Sequence, residues 1–346
     1  MPARRVTAVA FVALMAAGCT GVEGDPSPAP TTFTELLATA DLDAVAPAGV
    51  DVLDLAAGPD GALVLLADSA DPSVTYLAPV GEDGVGAVQR LDGPGEQLFV
   101  GPDGAVLVLG PGRLTTVGGG TVELGVDGDT AALSPDGRRL YVTGGGRLAA
   151  LDPATGEVQA TTDLDPGLTV KTLAAGPDGP VALMSDARAL DLADVAVLST
   201  WAEDLGQAEL VELASDRPAS IPSALRLTDD GDAVVTLTVH GDDPFRVTVV
   251  EDGEVTAAHP IPGTDRAPAD LALSPDGRVA YLAVAGFEVE SGLVTLDLSS
   301  GEQLAAGRLC EGQGTFGRVA LTGERLTVIG ACVGGDNSST TAFVLG

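Results

Sequence analysis

The stretch LSPDGRRLYVTGGGRLAALDPATGEV, residues 133–158, decides the fold. A Pro-Asp-Gly turn precedes the apolar segment RRLYVTG, and a glycine-rich turn separates that segment from RLAAL. Proline presets the backbone angle φ at the first corner of a turn, and glycine adopts the positive φ that the end of a turn requires. Short apolar runs bounded by such turns indicate antiparallel β-hairpins.

The same turn returns along the chain at a regular distance. Its copies are Pro59-Asp60-Gly61, Pro102-Asp103-Gly104, Pro135-Asp136-Gly137, Pro177-Asp178-Gly179, Asp229-Asp230-Gly231, Pro275-Asp276-Gly277 and the degenerate Thr322-Gly323-Glu324. Their glycines are 43, 33, 42, 52, 46 and 46 residues apart. A period of about 45 residues with four short strands per unit is typical of β-propeller blades. The sequence therefore predicts an all-β, seven-bladed β-propeller.

The seventh unit is one strand short. It supplies apolar segments at Arg318–Thr322, Arg325–Ala331 and Thr341–Leu345, and no fourth segment follows them. The segment Phe33–Val45, which precedes the first blade, is free to supply the missing strand. Closure of this kind removes sheet edges that would otherwise pair with other chains, so we predict that an N-terminal strand closes the last blade.

Two of the repeats resemble a known family. Tyr141–Gly144, followed by Leu151–Val158, is similar to the YVTN-type repeat of bacterial surface propellers, with Gly144 in place of its asparagine. Residues 281–284 and 296–301 form a looser copy. The resemblance implies a YVTN or lactonase-like seven-bladed fold. Because that superfamily includes surface proteins, binding scaffolds and lactone hydrolases, the resemblance does not choose a function.

The first 18 residues predict an export signal. Arg4 and Arg5 precede an apolar run, Val6–Ala17, that is short for a membrane span. The tetrapeptide AAGC at 16–19 resembles the lipobox of bacterial lipoproteins, which implies cleavage before Cys19 and a lipid on its sulfur. An ordinary secretory signal with an incidental cysteine is the alternative. The arginine pair leaves both general secretory and twin-arginine export open.

These features predict three segments and a location. Residues 1–18 form the lipoprotein signal peptide, residues 19–32 a disordered tether rich in Pro, Ser, Thr and Gly, and residues 33–346 the propeller. We expect the protein on the outer face of the cell membrane, attached only through the lipid on Cys19. Whether the organism has one membrane or two stays open.

Two further cysteines, Cys310 and Cys332, are expected to form a disulfide because the compartment is oxidising. A loop of that size would stabilise the fold by about 3 kcal/mol. The charge balance is one-sided, with 17 basic and 50 acidic residues and a net charge of −33. Such a surface repels phosphate backbones, so nucleic acid is excluded as a partner.

The best candidate site is the mouth of the central channel, where the loops entering the innermost strands converge. Positions seven or eight before each turn glycine fall there, and they hold Asp54, Glu96, Asp129, Lys171 and Asp270, with Thr172 and Ser223 beside them. Lys171 is the single lysine of the chain. Either it orients an anionic ligand, or it balances Asp129 and Asp270 as a structural ion pair.

The remaining motifs of the sequence are weaker indications of a functional site. His240 and His259 form no constellation and are interpreted as solvated turn residues. Residues 312–317 match Gly-x-Gly-x-x-Gly but precede a strand, which indicates an inter-blade loop. Trp201 lies in what we interpret as an irregular insertion, Ala193–Ser220, either capping a blade edge or anchoring a partner. No cofactor or metal is predicted, although clustered Asp residues in turns leave calcium as an alternative.

Together these observations favour a cell-envelope lipoprotein whose monomeric propeller is a non-catalytic binding or scaffolding module, with an envelope protein as its partner. The alternative is a lactonase-like hydrolase acting at the channel mouth, which would need convergent acid–base or metal-binding groups.

Overall fold

The protein is an all-β, seven-bladed β-propeller. The computed structural model describes residues 31–126, 128–186, 195–216, 219–261, 268–284, 292–333 and 339–346. Thr32–Gly346 forms one compact unit. Within the described ranges the helical structure is one 3-10 turn, Asp43–Val45, and no helix there is long and apolar enough to cross a bilayer. The signal peptide, Cys19 and most of the tether lie outside these residues.

Each blade is an antiparallel sheet whose strands are numbered in chain order. A closing strand, β1 (Leu36–Asp41), comes first. Blade 1 contains β2 (Val50–Gly58), β3 (Gly61–Asp68), β4 (Thr75–Gly81), β5 (Gly84–Val85) and β6 (Gln89–Leu91). Blade 2 contains β7 (Gln97–Val100), β8 (Val106–Gly110), β9 (Arg113–Thr116) and β10 (Thr121–Glu123). Blade 3 contains β11 (Thr130–Leu133), β12 (Leu140–Gly144), β13 (Arg147–Leu151) and β14 (Val158–Asp163).

The remaining blades follow the same plan. Blade 4 contains β15 (Leu168–Ala175), β16 (Pro180–Asp186), β17 (Val195–Thr200) and β18 (Glu209–Glu212). Blade 5 contains β19 (Ser220–Leu227), β20 (Ala233–Val239), β21 (Phe245–Glu251) and β22 (Glu254–Pro260). Blade 6 contains β23 (Asp270–Leu273), β24 (Val279–Val284), β25 (Gly292–Asp297) and β26 (Gln303–Arg308). Blade 7 contains β27 (Gln313–Thr322), β28 (Arg325–Val333) and β29 (Thr341–Leu345), with β1 at its outer edge.

The repeated turns explain why the sequence motif recurs. All seven turn glycines have positive φ, from 58° at Gly323 to 147° at Gly61, a region that side chains rarely adopt. In blade 3 the hydroxyl of Ser134 donates to Asp136 at 2.7 Å, and the same carboxylate accepts the backbone N–H of Arg138. Blade 6 repeats this pair with Ser274 and Asp276 at 2.6 Å. The turn residues therefore hold the first hairpin of a blade in shape.

The core is divided into apolar layers between neighbouring blades. In the described part of the chain seven buried clusters occupy the seven blade interfaces, including the one that joins blade 7 to blade 1. Strand β24 shows how the sequence builds them: all six of its residues are buried. Val279, Tyr281 and Ala283 pack toward blade 7, and the alternating Ala280, Leu282 and Val284 pack toward blade 5. A strand buried on both faces needs a continuous apolar run.

The N-terminal segment closes the ring, as the sequence predicted. Strand β1 pairs antiparallel with β29, with Thr39 opposite Phe343. Phe33, just before β1, is 2% exposed and meets the ring of Tyr281 in blade 6 edge-on at 5.1 Å between centroids. The predicted disulfide is present beside this closure: Cys310 follows β26, Cys332 lies in β28, and their Cα atoms are 5.6 Å apart.

Three local predictions were wrong. Ala193–Ser220 is not an irregular insertion, because its described residues include strands β17 and β18 of blade 4. The Gly-x-Gly-x-x-Gly segment is not a loop: Gln313–Gly317 begins β27, and a side chain at Gly314 would meet the Phe316 ring. His259 is a strand residue of β22, whose Nε2 lies 2.8 Å from the Leu298 carbonyl oxygen of blade 6.

We expect Phe33→Ala to lower the free energy of unfolding by about 3–5 kcal/mol, because it leaves a cavity between β1 and blade 6. The matched control is Leu36→Ala in the same closing segment, whose residue is 48% exposed and should change stability by less than about 0.5 kcal/mol. Urea unfolding of both variants is the measurement. Equal effects of the two substitutions would contradict a closure held by Phe33.

We also expect a pH-dependent contribution from Asp297 in the β25–β26 turn. Hydrogen bonds from the Ser299 hydroxyl and from backbone N–H groups lower the pKa of Asp297 to about 2. Because the folded pKa lies below the unfolded value, the stabilisation is complete above pH 4 and disappears as the pH falls through about 2. The difference in unfolding free energy between wild type and Asp297→Ala should therefore shrink between pH 5 and pH 2. A difference independent of pH would contradict this assignment, and Ser299→Ala should weaken the pH dependence.

Candidate functional site

A cavity of about 1070 Å³ lies on the propeller axis. Residues from the innermost strands of all seven blades, or from the residue or two just before them, line it. The volume suits a small-molecule ligand. Every channel-mouth residue that the sequence predicted, including Thr172 and Ser223, contributes to its lining. The spacing from the turn glycine thus located the cavity correctly.

Two sets of residues at the start of the innermost strands matter for the site, and we call them rim and ring. The rim residues are Leu53, Glu96, Asp129, Lys171, Ser223, Ala269 and Gly317, of which all but Gly317 line the cavity. The ring residues follow them directly and are Asp54, Gln97, Thr130, Thr172, Ala224, Asp270 and Arg318. The predicted binding residues divide between the two sets, because Glu96, Asp129 and Lys171 are exposed on the rim while Asp54 and Asp270 lie deeper. The two groups therefore have different roles.

In four blades the rim residue is the extra residue of a β-bulge. The pairing register shifts at Leu53 in blade 1, Lys171 in blade 4, Ser223 in blade 5 and Gly317 in blade 7. A bulge leaves one residue out of the ladder, bends the strand and redirects a side chain. The position of Lys171 is thus a consequence of a backbone irregularity that recurs around the ring.

Ring side chains bind the backbone of the next blade. Asp54 Oδ2 accepts the N–H of Leu98 at 2.8 Å, and Asp270 Oδ2 accepts the N–H of Val319 at 3.1 Å. Gln97 makes the equivalent bond from blade 2, where its Oε1 accepts the N–H of Ala131 at 2.7 Å. The donor is always the residue that follows the ring position of the next blade. These groups therefore act first as links between blades.

Two arginines add further links between blades. Arg226 Nη2 donates to Asp270 Oδ1 at 2.6 Å, which joins blade 5 to blade 6. Arg318 of blade 7 places its Nε 3.8 Å from Asp54 Oδ1 of blade 1 and donates from Nη2 to the Leu53 carbonyl at 3.1 Å. Around the described ring, polar side-chain links of this kind join blades 5, 6, 7, 1, 2 and 3 in turn, and none involves the ring position of blade 4.

Asp54 is the ring carboxylate with a raised pKa. Burial in the cavity wall raises the pKa of Asp54 above its ordinary value of 3.8, because a charged carboxylate loses hydration there. Hydrogen bonds from the N–H groups of Leu98 and Leu55 oppose the shift, as do the charges of Arg318 and Arg226. Arg226 belongs to blade 5, so its opposing effect on the pKa of Asp54 in blade 1 acts between non-adjacent blades and is the smallest of these contributions.

The structure shows no ion pair for Lys171 among the described residues. Asp270 is paired with Arg226 instead, at 2.6 Å, and across the described residues no carboxylate oxygen lies within 4.0 Å of the Lys171 ammonium. The ion pair that was expected to balance Asp129 is absent from those residues as well. Lys171 is therefore an exposed cation at the cavity mouth without an acidic partner among them.

The other candidate residues lie away from the axis. Trp201 is 8% exposed and packs with Tyr141 and Leu148 between blades 3 and 4, so it belongs to the core rather than to an exposed docking surface. His240 is exposed. In the described ranges no group of three or more His, Cys, Asp or Glu residues has the arrangement of a metal site. Asp127, one of the clustered Asp residues considered for calcium, falls outside those ranges.

Among the lining residues that the sequence analysis missed, Gln97, Thr130, Arg226 and Arg318 each have a feature in the sequence that bears on their place. Gln97 and Thr130 stand seven before their turn glycines, so a strict spacing would have found them. Arg226 interrupts the apolar strand ALRLT, which is unusual for a buried segment. Arg318 was missed because Gly323 stands two residues earlier in its turn than Gly61 does in the first turn, which displaces the count. Only the strand pairing assigns Arg318 to the ring.

No protein-family model matches the chain, and no curated protein matches it.

We expect Asp270→Ala to lower the free energy of unfolding by about 3 kcal/mol, because it leaves the Val319 N–H and the Arg226 guanidinium without their acceptor. The matched control is Asp129→Ala, since Asp129 is exposed on the rim one residue before a ring position. It should change stability by less than about 0.5 kcal/mol. Urea unfolding measures both, and similar losses in the two variants would contradict the division into ring and rim.

Proposed function

We propose that the protein is a lipid-anchored, non-catalytic β-propeller of the cell envelope that binds a partner or ligand on a rigid scaffold. The observation that carries the proposal is the use of the ring carboxylates. Asp54 and Asp270 accept hydrogen bonds from backbone N–H groups of the next blade and face arginines, so these carboxylates hold neighbouring blades together. The exposed rim residues keep their side chains available for recognition.

The proposed location rests on the N-terminal sequence. The lipobox-like AAGC at 16–19 supports lipidation of Cys19, and a tether at 19–32 would separate the domain from the lipid. The Cys310–Cys332 disulfide agrees with an oxidising compartment outside the cytoplasm. Affiliation with the YVTN or lactonase-like propellers is likewise part of the proposal, on the strength of the two repeat copies.

The proposed partner is another envelope protein. A closed ring of blades has few open sheet edges, so the domain itself is expected to be monomeric and to bind through its loop faces. The net charge of −33 disfavours anionic lipid headgroups and nucleic acid as binding surfaces. We propose no resident cofactor. Calcium on the turn carboxylates is the alternative to test by chelation.

One observation favours the rival function, a hydrolase at the channel mouth. Burial raises the pKa of Asp54, and a carboxylate with a raised pKa is better matched to general acid–base chemistry near neutral pH. Arg318, beside Asp54, could stabilise an oxyanion. Both groups also serve as links between blades, which is why we rank hydrolysis second.

The test is crosslinking in intact cells, followed by affinity purification and mass spectrometry. We expect one envelope protein near stoichiometric recovery. The Cys19→Ala variant should leave the membrane fraction, because it removes the lipid attachment site. Recovery of the propeller alone would contradict the scaffold function. A panel of lactones tests the rival function. If the purified protein hydrolyses one of them, and Asp54→Asn loses that activity while Asp129→Asn keeps it, the proposed function is hydrolysis instead of scaffolding.

A further inference from the structure

We propose that the axial cavity is a binding site for a small anion, a ligand that bears a carboxylate or phosphate group, held by Arg318, Arg226 and Lys171. The inference goes beyond the proposed function, since it assigns a ligand class to the cavity and does not depend on the lipid anchor or on a protein partner. It rests on cations that line the cavity of a strongly acidic protein.

Three basic residues line this cavity. The chain has 17 basic residues against 50 acidic ones, and Arg226, Arg318 and Lys171 all line the one axial cavity. They come from blades 5, 7 and 4. The exposed acids of the rim, Glu96 and Asp129, come from blades 2 and 3. The lining also holds the carboxylates of Asp54, Asp229 and Asp270, so it carries five acids and three bases. All three bases come from blades 4–7, which contribute only two of the acids, Asp229 and Asp270, so an anion would bind toward those blades.

The two guanidinium groups have more N–H donors than they make hydrogen bonds among the described residues. Each arginine carries five N–H donors, and the structure shows two hydrogen bonds for each. Arg226 donates to the Leu225 carbonyl at 2.8 Å and to Asp270 at 2.6 Å. Arg318 donates to the Gly317 carbonyl at 3.2 Å and to the Leu53 carbonyl at 3.1 Å. Their side chains are 41% and 40% exposed, which leaves part of each open to the cavity.

Arg318 also has a buried donor without an acceptor. Its Nε is buried and makes no hydrogen bond, because Asp54 Oδ1 is 3.8 Å away. A buried N–H without a partner costs free energy, and a ligand oxygen would satisfy this one only after the Arg318 side chain moved to expose it. Planar guanidinium groups bind carboxylate and phosphate through paired N–H donors. The arrangement thus favours an oxyanion over a neutral ligand.

The ring carboxylates position these arginines without filling the site. Asp270 and Asp54 each accept a hydrogen bond from a backbone N–H of the next blade through one carboxylate oxygen, so both side chains are fixed in the cavity wall. Asp270 holds Arg226 in place at 2.6 Å. Lys171, on its β-bulge, adds an exposed charge at the mouth. Glu96 and Asp129 would repel a long polyanion, which limits the ligand to a small molecule.

The experiment is an NMR titration of the purified protein at low ionic strength, with inorganic phosphate in one series and succinate in another. The readout is the arginine Nε–Hε signals, and the signal missing from the Arg318→Met spectrum identifies Arg318. We expect saturable shifts of the Arg318 signal. Preference for succinate assigns a carboxylate ligand, and preference for phosphate assigns a phosphorylated one.

Lys171→Met should weaken binding by about threefold to tenfold, since it removes one exposed charge without touching the ring. Arg318→Met should weaken it by at least about tenfold. The matched control is Arg325→Met, because Arg325 also belongs to blade 7 but pairs with Glu82 at 2.7 Å, outside the residues that line the cavity. It should leave the affinity unchanged. No saturable shift with either anion, or equal affinity in Lys171→Met and wild type, would overturn the proposal. A failed titration with a recovered envelope partner would leave the scaffold function intact.

Discussion

The structure depends on the burial of each blade against two neighbours. A four-stranded sheet cannot exclude water from both of its faces, yet strands such as β24 are apolar at every position and buried at all six. A closed ring gives every sheet a neighbouring sheet on each of its two faces. Closure therefore removes from water the apolar surface that drives folding, and the rest of the architecture follows from it.

Closure also explains the polar chemistry near the axis. The innermost strands meet in a small circle, where backbone N–H groups on the inward side lose water and need acceptors. Asp54, Gln97 and Asp270 provide them across blade boundaries. Because the carboxylates of Asp54 and Asp270 lie in the cavity wall, arginines offset their charge, and this brings guanidinium groups into the cavity. The candidate site is thus a by-product of the way the blades are joined.

Much of the fold could be predicted from the sequence, because turn chemistry is local. The Pro-Asp-Gly copies predicted the blade count, and the missing strand of the seventh unit predicted the pairing of β1 with β29. Blade 4 was harder, since its outer strands β17 and β18 lack a turn motif and were interpreted as an insertion. For the site, the spacing from the turn glycine found residues of both the rim and the ring, whereas the side-chain partners of those residues could not be predicted. The pairing of Asp270 with Arg226, 44 residues away in the chain, depends on how two blades dock.

The order in which the strands are synthesised has a consequence for assembly. Strand β1 is made before any blade, yet its partner β29 is the last strand of blade 7. Strand β1 therefore has no partner strand while about 300 further residues of the chain are synthesised. Pairing at such a separation is slow, because the loop must be closed before any contact offsets its entropy. Until then β1 and the outer edge of blade 7 lack their partner and can pair with a neighbouring chain. We therefore expect the protein to be most prone to aggregation between the synthesis of the first and the last strand.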